Sequence, residues 1–216
     1  MIGNLMILGD SYSTFKGHIV REDAFYYYPE EAPSPEEAVK SMRLDQTWWH
    51  RLIQRTDANL VRNDSWSGST ICYTGYLGDC STTSSFIYRY RQLRDSGFFK
   101  EKCIDTLLVF GGTNDSWCPA ELGERKLSDQ TEADLYYVLP AISHLMGALK
   151  TELPDTRVVF IANCDIDSEI VKCMNDEGER LGVEVINLSG IDKMCDHPTV
   201  LGMEQICDQV LSALEK

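Results

Sequence analysis

One short stretch near the start of the chain decides the fold, Leu5-Met6-Ile7-Leu8-Gly9-Asp10-Ser11. Four large apolar residues in a row, without alternation, are typical of a strand that is buried on both faces, as in parallel sheets. The glycine and aspartate then end the strand, so the serine hydroxyl should stand above the carboxyl edge of the sheet. Asp10 could equally be a simple cap of the turn or helix that follows. The stretch therefore predicts a buried first strand with a polar turn directly after it.

Apolar runs alternate with helical patterns along the rest of the chain, which indicates a βαβ series around a parallel sheet. Pro140 lies inside the third predicted helix and should kink it or split it in two. No linker or internal repeat divides the chain, so residues 1–216 are predicted to form a single α/β domain. Strands are predicted near 4–8, 59–63, 106–110, 158–162 and 184–187, and helices near 45–56, 84–95, 132–151, 168–181 and 200–214.

One long segment, residues 14–43, does not follow this alternation. It contains Tyr26-Tyr27-Tyr28-Pro29 and begins three residues after Ser11. Segments of this length without regular structure are usually functional loops, and this one should lie where open α/β sheets bind ligands. A surface excursion that packs its own aromatic residues is an equally good interpretation.

Charge and composition limit the partners. A formal net charge of −14 argues against nucleic acid or an anionic membrane surface, because either partner requires a basic patch. It also favours a neutral substrate over a polyanionic one, although Arg89, Arg91 and Arg94 form one local basic cluster. No apolar stretch reaches the roughly 18 residues that span a bilayer.

The beginning of the chain and its cysteines predict a compartment. Met1 is followed at once by a strand-like run instead of a secretory signal, which predicts a cytoplasmic protein. The eight cysteines are scattered and form no CxxC pair. We therefore expect buried free thiols in a reducing compartment.

A serine and a histidine at opposite ends of the chain are candidates for catalysis. A serine hydroxyl is a poor nucleophile and needs a base within hydrogen-bond reach. His197 precedes Pro198, which breaks any preceding helix and leaves the imidazole on an exposed elbow before an amphipathic last helix. The two residues suit a nucleophile and its general base.

Two further motifs lie between them and complete a resemblance. In order and context, the four motifs resemble the four blocks of the SGNH (GDSL-type) hydrolases over nearly the whole chain. The four are Gly9-Asp10-Ser11, Ser67-Gly68-Ser69, Gly111-Gly112-Thr113-Asn114-Asp115 and His197-Pro198. The resemblance implies a flavodoxin-like, three-layer α/β/α sandwich with five parallel strands in the order 2-1-3-4-5. It also implies a serine esterase that needs no metal or cofactor, with an oxyanion hole formed by Ser11, Gly68 and Asn114.

The chain departs from the family pattern at one position. The family usually carries an aspartate three residues before the histidine, and this chain has Met194 there. Asp192 on a slightly longer loop is the preferred partner of the His197 imidazole. Asp196 should point away from its neighbour, and a backbone carbonyl that orients the histidine is the third option.

Aromatic residues flank these motifs. Trp66 and Trp117 could form a wall for the substrate, with plain packing as an equal alternative. Trp48 and Trp49 are expected in the core. His18, His50 and His144 belong to no motif, so a metal site built from them is not expected.

These observations predict a serine esterase that acts on a small-molecule or carbohydrate ester, most simply a short acyl group such as acetyl on a carbohydrate. A lipase, lysophospholipase or thioesterase of the same fold is the alternative within the class. A non-catalytic carbohydrate-binding relative is the alternative outside it, because Met194 replaces the usual acid. The sequence leaves the oligomeric state open.

Overall fold

The computed structural model describes residues 2–215, which are built around one parallel sheet. Five strands form this sheet in the order β2-β1-β5-β6-β7, and two antiparallel hairpins, β3–β4 and β8–β9, lie apart from it. The strands in chain order are β1 (Asn4–Gly9), β2 (Asn59–Ser65), β3 (Thr74–Gly75), β4 (Gly78–Asp79), β5 (Thr106–Phe110), β6 (Arg157–Ala162), β7 (Glu184–Asn187), β8 (Lys193–Met194) and β9 (His197–Pro198).

Helices cover both faces of the sheet. The helices in chain order are α1 (Trp48–Thr56), α2 (Phe86–Asp95), α3 (Phe98–Glu101), α4 (Thr113–Trp117), α5 (Val138–Glu152), α6 (Ser168–Leu181) and α7 (Val200–Leu214). Helices α1 and α7 pack together on one face, and α5 packs with α2 and α6 on the other. None of the helices described is both long and apolar enough to cross a bilayer.

Successive side chains of each strand point to opposite faces of the sheet, so the structure has two hydrophobic cores. In β1, Leu5 and Ile7 enter the core beneath α1 and α7, whereas Met6 and Leu8 enter the core beneath α2, α5 and α6. All four side chains are buried, as required of a strand covered on both faces. Counting only the five strands of the sheet, their spatial order is 2-1-3-4-5. The predicted α/β sandwich and its strand order are therefore confirmed.

The structure differs from the predicted elements at one helix. Instead of a helix over 132–151 that is interrupted at Pro140, a 3₁₀ turn at Asp134–Tyr136 precedes a helix that begins at Val138. Pro140 thus lies in the first helical turn, where a missing backbone N–H costs no intrahelical hydrogen bond. The proline marks the beginning of α5 and does not kink it.

Other expectations have mixed outcomes. Trp48 and Trp49 are fully buried, as predicted. All eight cysteines are free thiols, but Cys103 and Cys195 are exposed and Cys164 is half-buried, so the expectation of burial is wrong for these three. Residues 14–43 are largely irregular, with a 3₁₀ turn at Pro35–Lys40.

Candidate active site

Three neighbouring strands end at one edge of the sheet. Gly9, the last residue of β1, is in register with Ser65 at the end of β2 and with Phe110 at the end of β5. The segments that leave these three strands therefore begin side by side. They carry the predicted serine, glycine and asparagine of the site.

Ser11 opens the turn that follows β1. The turn is a short 3₁₀ helix whose N-cap is Asp10, and the Asp10 carboxylate accepts the backbone N–H of Tyr12 at 3.0 Å. Burial raises the pKa of this carboxyl to about 7, against the opposing effect of the hydrogen bond from Tyr12. Asp10 is thus a cap, as the sequence allowed. Ser11 itself is only 2% exposed.

His197 stands on the second strand of the β8–β9 hairpin. The two residues of the turn, Cys195 and Asp196, have φ values of 49° and 62°. Positive φ at both central residues is the conformation that tight two-residue hairpin turns require. It is unfavourable for residues other than glycine by about 1–2 kcal/mol each. The hairpin therefore holds an unfavourable turn directly before the histidine.

The structure brings Ser11 and His197 together. The Ser11 Oγ and the His197 Nε2 are 3.0 Å apart, and the His197 Nδ1 lies 3.0 Å from the backbone carbonyl oxygen of Cys195. A carbonyl oxygen only accepts hydrogen bonds, so this partner assigns the proton of a neutral imidazole to Nδ1. Nε2 is then free to accept the hydroxyl proton of Ser11. This arrangement suits a serine activated by a neutral histidine.

Asp192 does not contact the imidazole, so the prediction that its carboxylate is the partner of His197 is corrected. The Asp192 carboxylate accepts the hydroxyl of Thr199, and its backbone N–H donates to Gln205 Oε1 at 2.7 Å. A Cβ on Gly202 would come within 2.1 Å of the Asp192 carbonyl oxygen, which shows how closely α7 packs here. These contacts direct Asp192 to the beginning of α7 and not to the imidazole.

Asp196 does not orient the imidazole either. It is exposed in the hairpin turn, and its backbone carbonyl accepts the hydroxyl of Tyr12 at 2.5 Å. Of the three options that the sequence left open, the structure forms the third, in which a backbone carbonyl contacts the histidine.

Aromatic rings surround the imidazole. The Tyr27 ring stacks on it with a centroid separation of 3.5 Å and an interplanar angle of 2°. Tyr12, Trp117 and Tyr28 contact it from other sides at centroid distances of 5.4, 6.2 and 6.4 Å. The segment 14–43 thus supplies a wall of the site, and Trp117 lies beside the histidine.

This environment keeps the imidazole neutral. Burial lowers the pKa of His197 below its usual value, and the charges of Lys40 and Lys193 act in the same direction. The Cys195 carbonyl and the Asp196 carboxylate oppose the shift without reversing it. A base must be unprotonated to accept a proton, so the shift favours that role at neutral pH.

Gly68 leaves β2 in a conformation that favours glycine. Its φ is +80°, and a Cβ built on it would meet no atom closer than 4.0 Å. Conformation, not lack of space, is therefore the reason for glycine here. Nearby, the carboxylate of Asp115 accepts the backbone N–H groups of Ile71 and Cys72 at 2.9–3.0 Å. This contact ties the segment after Gly68 to α4.

Asn114 lies in the first turn of α4, directly after β5. Its Nδ2 donates to the backbone carbonyl of Ser69 at 2.9 Å, and its Oδ1 accepts the hydroxyl of Tyr76 at 3.1 Å. The second N–H of the Asn114 amide takes part in neither of these two hydrogen bonds. The side chain is thus fixed at both ends and retains a donor.

A fully buried arginine ties the strand ends together, contrary to the expected basic cluster. The Arg89 guanidinium donates to the Gly9 carbonyl at 3.2 Å, to the Ser69 hydroxyl at 3.0 Å, and to both the carbonyl and the carboxylate of Asp64. Burial lowers the pKa of Arg89 to about 10, so it stays charged at neutral pH. Arg89 therefore belongs to the scaffold of the site and offers no charge to a polyanion.

Two cavities flank the site. The larger has a volume of about 590 Å³ and borders it at Gly68, whereas the smaller, of about 290 Å³, lies along residues 24–40 and includes Tyr27. Trp66 lines the larger cavity, and Trp117 lines neither. The larger is mixed in character, with Phe25, Trp66, Tyr76, Leu77 and Tyr88 beside Arg21, Asp23, Asp79 and Gln92. Within residues 2–215, no group of three or more histidine, cysteine or acidic residues is arranged to hold a metal ion.

Sequence reasoning missed Tyr76 and the burial of Arg89. Gly75-Tyr76-Leu77-Gly78 is a turn pattern that could have predicted the β3–β4 hairpin. Its contact with Asn114, 38 residues away, has no local signal. Helical spacing from Phe86 and Leu93 places Arg89 on the buried face of α2, but no local signal shows which groups its guanidinium contacts.

Comparisons with known proteins show the family of the chain. A family model described as GDSL-like lipase/acylhydrolase matches residues 3–214. A crystal structure from Bacteroides uniformis, described as a GDSL-like lipase, is 38% identical, with a TM-score of 0.87 over 99% of this chain and 96% of its own. A similar protein from Bacteroides ovatus is 32% identical, with a TM-score of 0.88 over 100% and 99%.

A more distant structure shares the fold alone. An acetyl xylan esterase from the rumen bacterium Butyrivibrio proteoclasticus is 15% identical, with a TM-score of 0.61 over 99% of this chain and 63% of its own. Among curated protein sequences, none matches this chain.

Proposed function

Since the chain belongs to the GDSL-like lipase/acylhydrolase family and is an ester-bond hydrolase, we propose that it removes short acyl groups from carbohydrates. Ser11 is the nucleophile and His197 the general base. The observation that carries the proposal is the 3.0 Å contact between the Ser11 Oγ and the His197 Nε2, with Nδ1 held by the Cys195 carbonyl.

The reaction runs through an acyl-enzyme. The Ser11 oxygen attacks the ester carbonyl while His197 Nε2 takes its proton. The oxyanion that forms is stabilised by the backbone N–H groups of Ser11 and Gly68 and by the free N–H of the Asn114 amide. His197 then returns the proton to the departing alcohol. Water, activated by the same imidazole, hydrolyses the acyl-enzyme and restores the serine.

Several features support a short acyl group on a sugar. Ser11 is 2% exposed and aromatic rings wall the imidazole beside it, an enclosed setting that suits a small acyl group. The 590 Å³ cavity joins aromatic faces to charged and amide side chains, a combination suited to stacking and hydrogen bonding with a sugar. One distant structure of this fold is an acetyl xylan esterase. The net charge of −14 favours a neutral substrate over a nucleic acid or an anionic membrane.

A comparison of acyl lengths tests this substrate class. The purified protein is assayed with p-nitrophenyl acetate, butyrate, octanoate and laurate, and acetate release is measured from acetylated xylo-oligosaccharides. We expect kcat/KM to be highest for acetate and at least about tenfold lower for octanoate, because the aromatic rings around His197 should crowd the longer chain. A preference for octanoate or laurate, or hydrolysis of a lysophospholipid without acetate release, would favour the lipase alternative. No turnover of any ester would leave the non-catalytic alternative.

The Asp192→Asn variant tests whether the imidazole depends on a carboxylate. Asp192 bonds to Thr199 and not to His197, so we expect kcat/KM on p-nitrophenyl acetate to fall less than about threefold, whereas disabling the acid of a triad costs about 10⁴-fold. Asp196→Asn is the matched control and should behave alike. A loss above about a hundredfold in Asp192→Asn alone would restore Asp192 as the third member of a triad.

A further inference from the structure

The hairpin β3–β4 carries a tyrosine, Tyr76, whose hydroxyl and whose ring contact different parts of the site. The Tyr76 hydroxyl lies 3.1 Å from the Asn114 Oδ1, and its ring lines the 590 Å³ cavity. The residue is 48% exposed, so the ring is open to whatever enters that cavity. Tyr76 therefore joins the wall of the cavity to the side chain of Asn114.

The Asn114 amide has one acceptor and two donors to satisfy. The Ser69 carbonyl takes one N–H at 2.9 Å, and the Tyr76 hydroxyl donates to the oxygen. Burial raises the pKa of Tyr76 to about 12, so the hydroxyl keeps its proton at neutral pH and acts as a donor. Because hydrogen bonds hold both its nitrogen and its oxygen, the Asn114 amide cannot rotate, and its second N–H points in a fixed direction. A hydrogen bond onto the oxygen also polarises the amide and strengthens its N–H groups as donors.

The hairpin does not depend on this contact for its own position. The Thr74 hydroxyl donates to the Tyr136 carbonyl at 2.9 Å, and the Tyr136 hydroxyl contacts the Asp79 carboxylate at 3.1 Å. The Cys80 N–H donates to the Tyr73 carbonyl at 2.8 Å. Since these bonds already anchor the hairpin, the hydroxyl of Tyr76 acts on Asn114 rather than on the hairpin.

We infer that Tyr76 is a positioning residue of the oxyanion hole, whose hydroxyl fixes the Asn114 amide so that its free N–H meets the developing negative charge. The inference rests on the proposed function, because it assigns to Asn114 the role of an oxyanion donor. It adds a residue outside the four motifs to the machinery of ester hydrolysis.

A double-mutant cycle tests the inference. Tyr76→Phe keeps the ring and removes only the hydroxyl, so we expect kcat on p-nitrophenyl acetate to fall about 3- to 10-fold with KM nearly unchanged. Asn114→Ala should cost about 10²- to 10³-fold. If Tyr76 acts through Asn114, adding Tyr76→Phe to Asn114→Ala should cause no further loss.

Tyr136→Phe is the matched control, since it removes a tyrosine hydroxyl that contacts the same hairpin but not Asn114. It should leave kcat unchanged, and thermal unfolding should show that all variants are folded. The inference would be overturned if the wild type is active and Tyr76→Phe has the same kcat. It would also be overturned if Tyr76→Phe lowers kcat by the same factor in the wild type and in Asn114→Ala. Both outcomes leave the proposed function intact, whereas a wild-type protein that hydrolyses no ester would refute the proposed function itself.

Discussion

Ser11→Ala should abolish ester hydrolysis, with a loss of about 10⁴- to 10⁶-fold in kcat. Alanine keeps the turn after β1, because the contacts of that turn involve the Asp10 carboxylate and the backbone of residue 11. The variant loses only the oxygen that faces His197 Nε2. We therefore expect the same melting temperature as the wild type and at most a trace of residual turnover of p-nitrophenyl acetate.

Covalent labelling with a fluorophosphonate probe, followed by mass spectrometry, tests the same prediction directly on the protein. The wild type should gain the mass of one phosphonyl group on the peptide that contains Ser11, because labelling requires both a nucleophile and its base. Ser11→Ala should gain none. Ser13→Ala, which removes a buried hydroxyl from the same turn, should still be labelled. Labelling of Ser11→Ala at another residue would show that the nucleophile lies elsewhere.

His197→Ala should reduce kcat nearly as much as the loss of the serine, by about 10⁴- to 10⁶-fold, because the two groups act as a unit. The variant loses the imidazole that faces the Ser11 hydroxyl and takes its proton in the proposed reaction. The measurement is again the hydrolysis of p-nitrophenyl acetate. His18→Ala is the control, since this exposed histidine packs against Phe15 outside the site and its loss should leave kcat unchanged. Substantial activity in His197→Ala would exclude the imidazole as the base.

The pH dependence of the wild type provides a second test of the same residue. His197 accepts a proton only when neutral, so kcat/KM must fall as the pH drops through its pKa in the free enzyme. Burial lowers that pKa below 6.5, which predicts that kcat/KM falls to half of its value at neutral pH only at a pH below 6.5. A profile that stays flat to pH 5, or one whose acid limb lies above pH 7, would contradict this role.

The sequence predicted the scaffold well because its signals are local. Strands β1, β5 and β6 are apolar runs, and a run such as 5–8 can be buried on both faces only between two layers of helices. The residues that follow the ends of neighbouring strands must then lie together, in agreement with the grouping of Ser11, Gly68 and Asn114 that the resemblance to the SGNH hydrolases implied.

The contacts that orient these residues could not be predicted in the same way. The acceptor of the His197 imidazole is a main-chain oxygen, which every residue has and no motif marks. Met194 showed only that the usual acid is missing. The Tyr76 hydroxyl and the Arg89 guanidinium reach their partners through turns and helix packing that composition does not specify. The sequence therefore predicted the candidate reacting groups and missed the contacts that orient them.

The hairpin turn before His197 should tolerate substitutions of its side chains but not insertions or deletions. Because a peptide oxygen holds the imidazole, exchanging one side chain for another at residue 195 leaves that oxygen in the chain. Inserting or deleting a single residue between Met194 and His197 would carry it away from Nδ1. At this corner of the protein, the spacing of the chain decides whether the contact with Nδ1 forms, and the identity of the amino acids matters mainly through their tolerance of a left-handed backbone.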